Sequence, residues 1–186
     1  MKVCKFERMN NEDEVKQVIG CIQKEHPYVA VIPVLTQLQE WLQAISVSWF
    51  HEEDETSHTI VNAIEEYCRT LTDRLISDRK LNQDMKVQIE KCIEKIQVLV
   101  EDKADLLTDK IIKAEVYGLS NELFACCLRQ QGLRAQPLDT GKFMQINLER
   151  KPDIPYIKES VQQYISEKRD ADIFIAPLSL CKNVYG

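Results

Sequence analysis

Apolar residues in the first part of the chain alternate between continuous runs and helical spacing. MKVCKF (1–6) is typical of a short strand, and Asn10 or Asn11 is placed to cap a following helix. Residues 12–25 carry apolar side chains every three or four positions, which predicts an amphipathic helix. PYVAVIPV (27–34) predicts a buried strand, and LTQLQEWLQAI (35–45) returns to helical spacing. This order predicts a parallel sheet covered by helices.

The middle of the chain shows no strand pattern. From residue 52 to about 130 the apolar positions follow helical spacing and predict three helices. SDRKLNQD (77–84) is a polar break between the first two, and EDKAD (101–105) is a weaker break before the third. We therefore expect a helical excursion between the second strand and the rest of the sheet.

Strand patterns return after Gly132. GLRAQPLD (132–139) and the apolar ADIFIAPLSL (171–180) predict strands, and KFMQINL (142–148) predicts an edge strand. PYIKESVQQYISEK (155–168) predicts a helix with proline in its first turn. The whole pattern predicts a single domain over residues 1–186. We expect a three-layer α/β/α sandwich with a mainly parallel sheet and a helical subdomain on one side.

Composition and charge narrow the classes of partner. The 186 residues are 44% hydrophobic and 29% charged, which suits a globular domain, and the net charge is −6. No basic excess exists to bind nucleic acid, and the negative charge disfavours an anionic membrane surface. No apolar run approaches the roughly 20 residues of a membrane span, and the first residues lack a leader's apolar core. We expect a cytoplasmic protein.

The cysteines and histidines do not form a recognisable metal set. The seven cysteines contain no CxxC pair and predict reduced core residues, and they are Cys4, Cys21, Cys68, Cys92, Cys126, Cys127 and Cys181. His26, His51 and His58 are not spaced with them as ligands. The acidic run HEEDE (51–55) is typical of a solvated helix start. Serine-hydrolase, zinc-protease and P-loop motifs are absent, so no metal site is expected.

The loops that follow the strands are the expected ligand sites, because ligands bind at the carboxyl ends of parallel strands. These loops are 7–11, 33–37, 139–142 and 177–183. Phosphate binding there depends on close approach to backbone N–H groups, which glycines permit. The first loop instead carries Glu7 and Arg8. A carboxylate about 4 Å from a phosphate charge repels it by roughly 4 kcal/mol at an effective dielectric near 20.

Two residues in these loops remain open to both structural and functional interpretations. Lys5 is the best candidate for an anion contact, although strand periodicity alone favours a side chain that faces solvent or pairs with a surface acid. Asp139 precedes Thr140 and Gly141, a context in which aspartate commonly forms a turn.

Four segments, in this order, resemble the aspartokinases of the amino-acid-kinase superfamily. VCKFERM keeps Lys5 and Phe6 of that family's lysine-phenylalanine-glycine-glycine-threonine signature. VAVIPVLTQLQEWL (29–42) is similar to the family's second strand and the helix after it, with Pro33 where the family has a serine. The segment VYGLSNELFACCLRQQGLRAQPLDTGKFM (116–144) is similar to the family's glycine-glutamate-x-leucine-serine region and the strand that follows it. ADIFIAPLSL resembles a strand that ends in a glycine-phenylalanine-isoleucine-glycine turn.

The resemblance covers the whole chain but only the front part of the family's kinase domain. It implies Lys5 as a catalytic residue, and Ser120 and Asp139 as substrate-binding residues. If the site survives, these residues meet in a cleft beside Pro33. Scaffold positions are kept whereas the first-loop glycines are replaced, so the resemblance implies a degenerate aspartokinase. The nucleotide-binding half is expected to follow the end of this chain.

Three functional hypotheses follow. The first is an inactive, aspartokinase-like module that binds a small amino acid or dimerises with itself or a related kinase chain, and that needs no cofactor. The second is an active aspartate kinase, which would use ATP and magnesium to phosphorylate the side-chain carboxylate of aspartate in amino-acid biosynthesis. The third is an α/β protein-interaction module without a small ligand.

Overall fold

A computed structural model describes residues 2–7, 9–51, 54–101, 105–149, 151–168 and 170–177. The strands are β1 (Val3–Lys5), β2 (Val29–Ile32), β3 (Ala135–Pro137) and β4 (Ile173–Pro177). The helices are α1 (Glu12–Glu25), α2 (Thr36–Phe50), α3 (Asp54–Leu75), α4 (Arg79–Glu101), α5 (Leu106–Arg129) and α6 (Ile154–Ser166). A 3₁₀ turn, Thr140–Lys142, follows β3.

The four strands form one parallel sheet in the order β1-β2-β4-β3. Val29 of β2 lies opposite Val3 of β1 on one side and Phe174 of β4 on the other. Ala135 of β3 pairs with Ile173 at the far edge. Because parallel neighbours need crossover connections, every link between strands passes through a helix.

Side chains alternate between the two faces of the sheet and define two cores. Ala30, Ile32 and Ile175 point into a large cluster shared with α1 to α5. Val29 and Phe174 point to the opposite face, into a smaller cluster covered by α6. The sheet is therefore covered on both faces, which confirms the predicted three-layer α/β/α class.

The helical excursion is built around α3, α4 and α5. Ile64, Ile89 and Val116, one from each helix, are fully buried in the large cluster. Within the described ranges 54–101 and 105–129, every regular element is helical, as the apolar spacing predicts. None of the helices in the described residues is both long and apolar enough to cross a membrane.

The prediction of an edge strand at 142–148 is wrong. The Asp139 carboxylate accepts a hydrogen bond from the Gly141 N–H at 3.1 Å and winds the chain into the 3₁₀ turn. Phe143 is then buried in the smaller core instead of extending along a strand. Among the described residues of this segment, only an isolated antiparallel bridge between Ile146 and Pro152 has strand character.

Several predicted boundaries also shift. The break predicted at 77–84 is confined to 76–78, because the Asp78 carboxylate accepts a hydrogen bond from the Leu81 N–H and starts α4 early. Helix α2 continues past the predicted end at 45 to Phe50. The break predicted at 101–105 falls partly on residues 102–104, and the last strand predicted partly on 178–180. Both of those stretches lie outside the described residues.

Candidate functional site

All four strands end at the same edge of the sheet because they are parallel. Their last residues are Lys5, Ile32, Pro137 and Pro177. β1 and β3 lie at opposite ends of the strand order, three spacings of about 4.8 Å apart, or about 14 Å. A ligand near Lys5 therefore occupies a different place from one near the end of β3.

The turn after β1 pairs its lysine with a carboxylate. Lys5 Nζ lies 3.9 Å from Glu7 Oε1, and the lysine side chain is 57% exposed. Met9, in the same turn, is fully buried. Its carbonyl accepts hydrogen bonds from the backbone N–H and the hydroxyl of Thr36, which fixes the turn to the start of α2. Arg8, the other residue predicted to block phosphate, lies outside the described residues. The described part of this turn thus presents a weak surface ion pair.

A cleft of about 720 Å³ opens at the other end of the same edge. It lies between α4, α5 and the ends of β3 and β4, and this volume falls within the usual range for small-molecule sites. Its lining combines apolar side chains with charged and neutral polar ones. The polar and charged lining residues are Gln88, Lys91, Lys95, Glu115, Asn121, Glu122, Asp139, Thr140 and Tyr164.

Asp139 stands at the mouth of the cleft. Its side chain holds the turn through Gly141, and its backbone N–H donates to the Tyr164 hydroxyl at 3.4 Å. The aspartate is exposed and makes no ion pair with a described residue. Its turn-forming role is therefore observed, and its second carboxylate oxygen is left for other partners.

Two neutral polar residues line the cleft from buried positions. Asn121 in α5 is only 4% exposed, and Thr140 in the 3₁₀ turn is 5% exposed. The Thr140 hydroxyl is buried without a hydrogen-bond partner among the described residues. An unpaired hydroxyl at such depth is uncommon, because it forfeits its hydrogen bonds to water.

Most charges around the cleft are already paired. Lys95 Nζ lies 2.6 Å from Glu115 Oε1. Glu122 binds Arg129 at 2.5 Å, and Arg129 Nε also donates to the Ala135 carbonyl, which ties α5 to β3. Lys91 is exposed on α4 and has no ion-pair partner within the described part of the chain.

Of the three residues that sequence analysis grouped, Asp139 lies in the lining of this cleft. Asp139 lines the cleft, whereas Lys5 lies at the opposite end of the sheet edge. Ser120 is 4% exposed within α5 and is not among the cleft-lining residues, and neither is Pro33. The predicted grouping of Lys5, Ser120 and Asp139 beside Pro33, like the individual roles assigned to the three residues, therefore remains a prediction.

Sequence analysis missed Asn121 and Thr140 as candidate site residues. The available signal was a polar pair, Ser120-Asn121, between the apolar residues Leu119 and Leu123 of helix α5. The described residues also contain no group of three or more histidine, cysteine, aspartate or glutamate side chains placed to hold a metal ion.

Solved structures similar to this fold are aspartokinases. Escherichia coli aspartokinase III in complex with lysine and aspartate (T-state) matches with a TM-score of 0.79 and 20% identity over 99% of this chain. The same enzyme in complex with aspartate and ADP (R-state) matches at 0.78 and 20% identity. Clostridium acetobutylicum aspartate kinase matches at 0.71 and 13% identity over all of this chain. These likenesses establish an aspartokinase-like fold.

The matches cover nearly all of this chain but less than half of each aspartokinase. This chain spans 42% of the E. coli enzyme and 41% of the clostridial one, about two fifths of each. No protein-family model and no curated protein sequence matches the chain.

Proposed function

We propose that this chain is an aspartokinase-like domain that binds a small amino acid without phosphorylating it and that acts as a regulatory or dimerisation module. The fold supports a relationship to aspartokinases, and the turn after β1 supports the loss of phosphoryl transfer. The observation that carries the proposal is the position of Lys5, exposed and 3.9 Å from the Glu7 carboxylate.

Phosphoryl transfer depends on positioned positive charge and backbone N–H groups around the transferred phosphate. The described residues of the β1 turn do not fit magnesium ATP, because they contain no glycine and place a carboxylate beside the only lysine. No catalytic step is therefore assigned to Lys5 here. If the turn excludes nucleotide, the chain needs no cofactor for its proposed role.

An amino acid is the proposed ligand for two reasons. The E. coli neighbour is described in complex with lysine, aspartate and ADP, so amino acids are ligands of a protein with this fold. The cleft at the end of β3 also offers Lys91, which has no ion-pair partner among the described residues, and an exposed carboxylate, Asp139. A free amino acid carries a negative carboxylate and a positive ammonium group, which complement the positive Lys91 and the negative Asp139.

The activity test combines purified protein with aspartate and magnesium ATP and measures ADP release. We expect no release above the enzyme-free rate, and Lys5→Ala should leave that background unchanged. Lys24→Ala, which removes an exposed lysine of α1, is the matched control. Aspartate-dependent release that falls with Lys5→Ala but not with Lys24→Ala would establish the active-kinase hypothesis instead.

The binding test is a thermal-denaturation panel of amino acids and nucleotides. A ligand at 100 times its dissociation constant adds about 2.7 kcal/mol to the free energy of unfolding, which shifts Tm by several degrees. We expect at least one amino acid to raise Tm and magnesium ATP to leave it unchanged. A panel in which no amino acid raises Tm would contradict the proposal.

The proposed macromolecular partner is a second copy of the chain or a related kinase chain. Val47 and Phe50 of α2 are exposed apolar side chains, and clustered apolar surface favours association. We expect a dimer in sedimentation experiments at micromolar concentration. A monomer under those conditions would leave amino-acid binding as the remaining part of the proposal.

A further inference from the structure

Pairing of the charges leaves one positive and one negative group for a ligand in the cleft. Lys95 is paired with Glu115, and Glu122 is paired with Arg129. Each of these pairs satisfies its own charge, so neither attracts a ligand ion strongly. The exposed Lys91 and Asp139 remain at the mouth. They match the carboxylate and the ammonium group of a free amino acid.

Deeper in the cleft the available groups are neutral. The Asn121 carboxamide offers two donors and an acceptor, and the Thr140 hydroxyl offers one donor and an acceptor. Both residues are more than nine-tenths buried, and the Thr140 hydroxyl lacks a hydrogen-bond partner among the described residues. A ligand group that supplies both donors and acceptors would satisfy them.

From these contacts we infer that the cleft selects an amino acid with a carboxamide side chain, glutamine or asparagine. Lys91 binds the α-carboxylate, Asp139 binds the α-ammonium group, and Asn121 and Thr140 hydrogen-bond the side-chain amide. A carboxamide pairs reciprocally with the Asn121 carboxamide, each donating one N–H to the other's oxygen. This inference rests on the proposed function, because it assumes that the chain binds an amino acid.

The same geometry discriminates against charged side chains. An aspartate or glutamate side chain would bring a second carboxylate to Asn121 and Thr140, while Lys91 is assigned to the α-carboxylate and Lys95, which also lines the cleft, is already paired with Glu115. A lysine side chain would bring an ammonium group to neutral partners. Burying an uncompensated charge costs far more than burying a hydrogen-bonded amide. The preferred ligand therefore differs in charge from the aspartate and lysine described with the E. coli neighbour.

Calorimetric titration of the full chain tests this inference, with glutamine, asparagine, aspartate, glutamate and lysine as probes. We expect glutamine or asparagine to bind at least about tenfold more tightly than its acidic counterpart, a factor that the loss of one good hydrogen bond can produce. Equal or tighter binding of aspartate or glutamate would overturn the inference while leaving the proposed function intact. If no amino acid binds, the proposed function itself fails.

Three variants locate the site. Asn121→Leu and Thr140→Val should each weaken amide-ligand binding about tenfold, and Thr140→Val should not lower the Tm of the ligand-free protein, since it removes an unpaired buried hydroxyl. Lys91→Ala should weaken binding of every amino acid, and Lys80→Ala, an exposed lysine of α4 away from the cleft, is its control. Unchanged glutamine binding in Asn121→Leu and Thr140→Val would overturn the assignment. A lower Tm of ligand-free Thr140→Val would show that this hydroxyl serves the fold and would count against the assignment.

Discussion

Burial sets the chemistry of individual side chains in this protein, and the cysteines show it most clearly. Burial raises the pKa of the Cys68, Cys92 and Cys127 thiols to about 12 and that of Cys126 to about 11. Their thiolates, the reactive form, are therefore scarce near neutral pH. Cys21 is exposed on α1.

Brief treatment with iodoacetamide at pH 8 should modify Cys21 and spare the four buried cysteines. Low thiolate population and poor access both slow the buried groups. Peptide mass spectrometry resolves the sites, and the same treatment in guanidinium chloride, where all cysteines become accessible, is the control. Rapid modification of Cys126 or Cys127 in the native protein would contradict this account of burial.

The sequence predicted the conformation of single residues correctly where neighbouring residues determine it. The turn at Asp139 follows from its neighbours Thr140 and Gly141, and the structure shows the expected hydrogen bond. Lys5 was open to either an anion contact or a surface pair, and the structure shows it beside Glu7. Asn121 escaped notice because its significance depends on tertiary packing, which places α5 against the ends of β3 and β4.

At the scale of elements, the helix ends are set by short-range hydrogen bonds. Asn11 caps α1 by accepting a hydrogen bond from the Glu14 N–H at 3.0 Å, and Glu14 in return accepts one from the Asn10 N–H at 2.7 Å. This reciprocal arrangement resembles a capping box, although the partner is the residue before the cap. It resolves the choice between Asn10 and Asn11 that the sequence left open.

Replacing Asn11 by alanine should lower the free energy of unfolding by about 1 kcal/mol, the usual cost of losing an N-cap acceptor. Asn11→Asp, which keeps an acceptor and places negative charge at the helix N-terminus, should remain within a few tenths of wild type. Urea denaturation measures both. Equal stabilities for the two variants would show that the cap contributes little.

Helices were predicted more accurately than strands because their signals are repeated along many residues. Each of α1 to α6 follows an apolar stripe, and every predicted helix is present. The segment 142–148 also alternates in polarity, yet the Asp139 turn redirects it before it can pair. Strand formation requires a neighbour with matching register, and that requirement is not visible within seven residues.

The whole molecule has unequal layers on the two faces of its sheet. Helix α4 contributes six buried residues to the large core, whereas α6 has no buried residue and covers the small core with partly buried side chains. Local stability follows buried apolar contact, so the α6 layer should open more readily.

Native-state hydrogen exchange should therefore show lower opening free energies for α6 amides than for α4 amides. Val161→Ala should accelerate exchange in α6 with little effect on α4. Ile89→Ala, which removes a fully buried side chain, should lower global stability by about 2–5 kcal/mol. Equal protection in the two helices would mean that the molecule opens as one cooperative unit.

The order β1-β2-β4-β3 also constrains how the polypeptide assembles during synthesis. The two central strands join positions 29 and 174, with the whole helical excursion between them. A nascent chain leaving the ribosome can form α3, α4 and α5 through local contacts well before β4 emerges. Until β4 has been synthesised, β2 can pair only with β1. We therefore expect the helices to form before β2 and β4 pair.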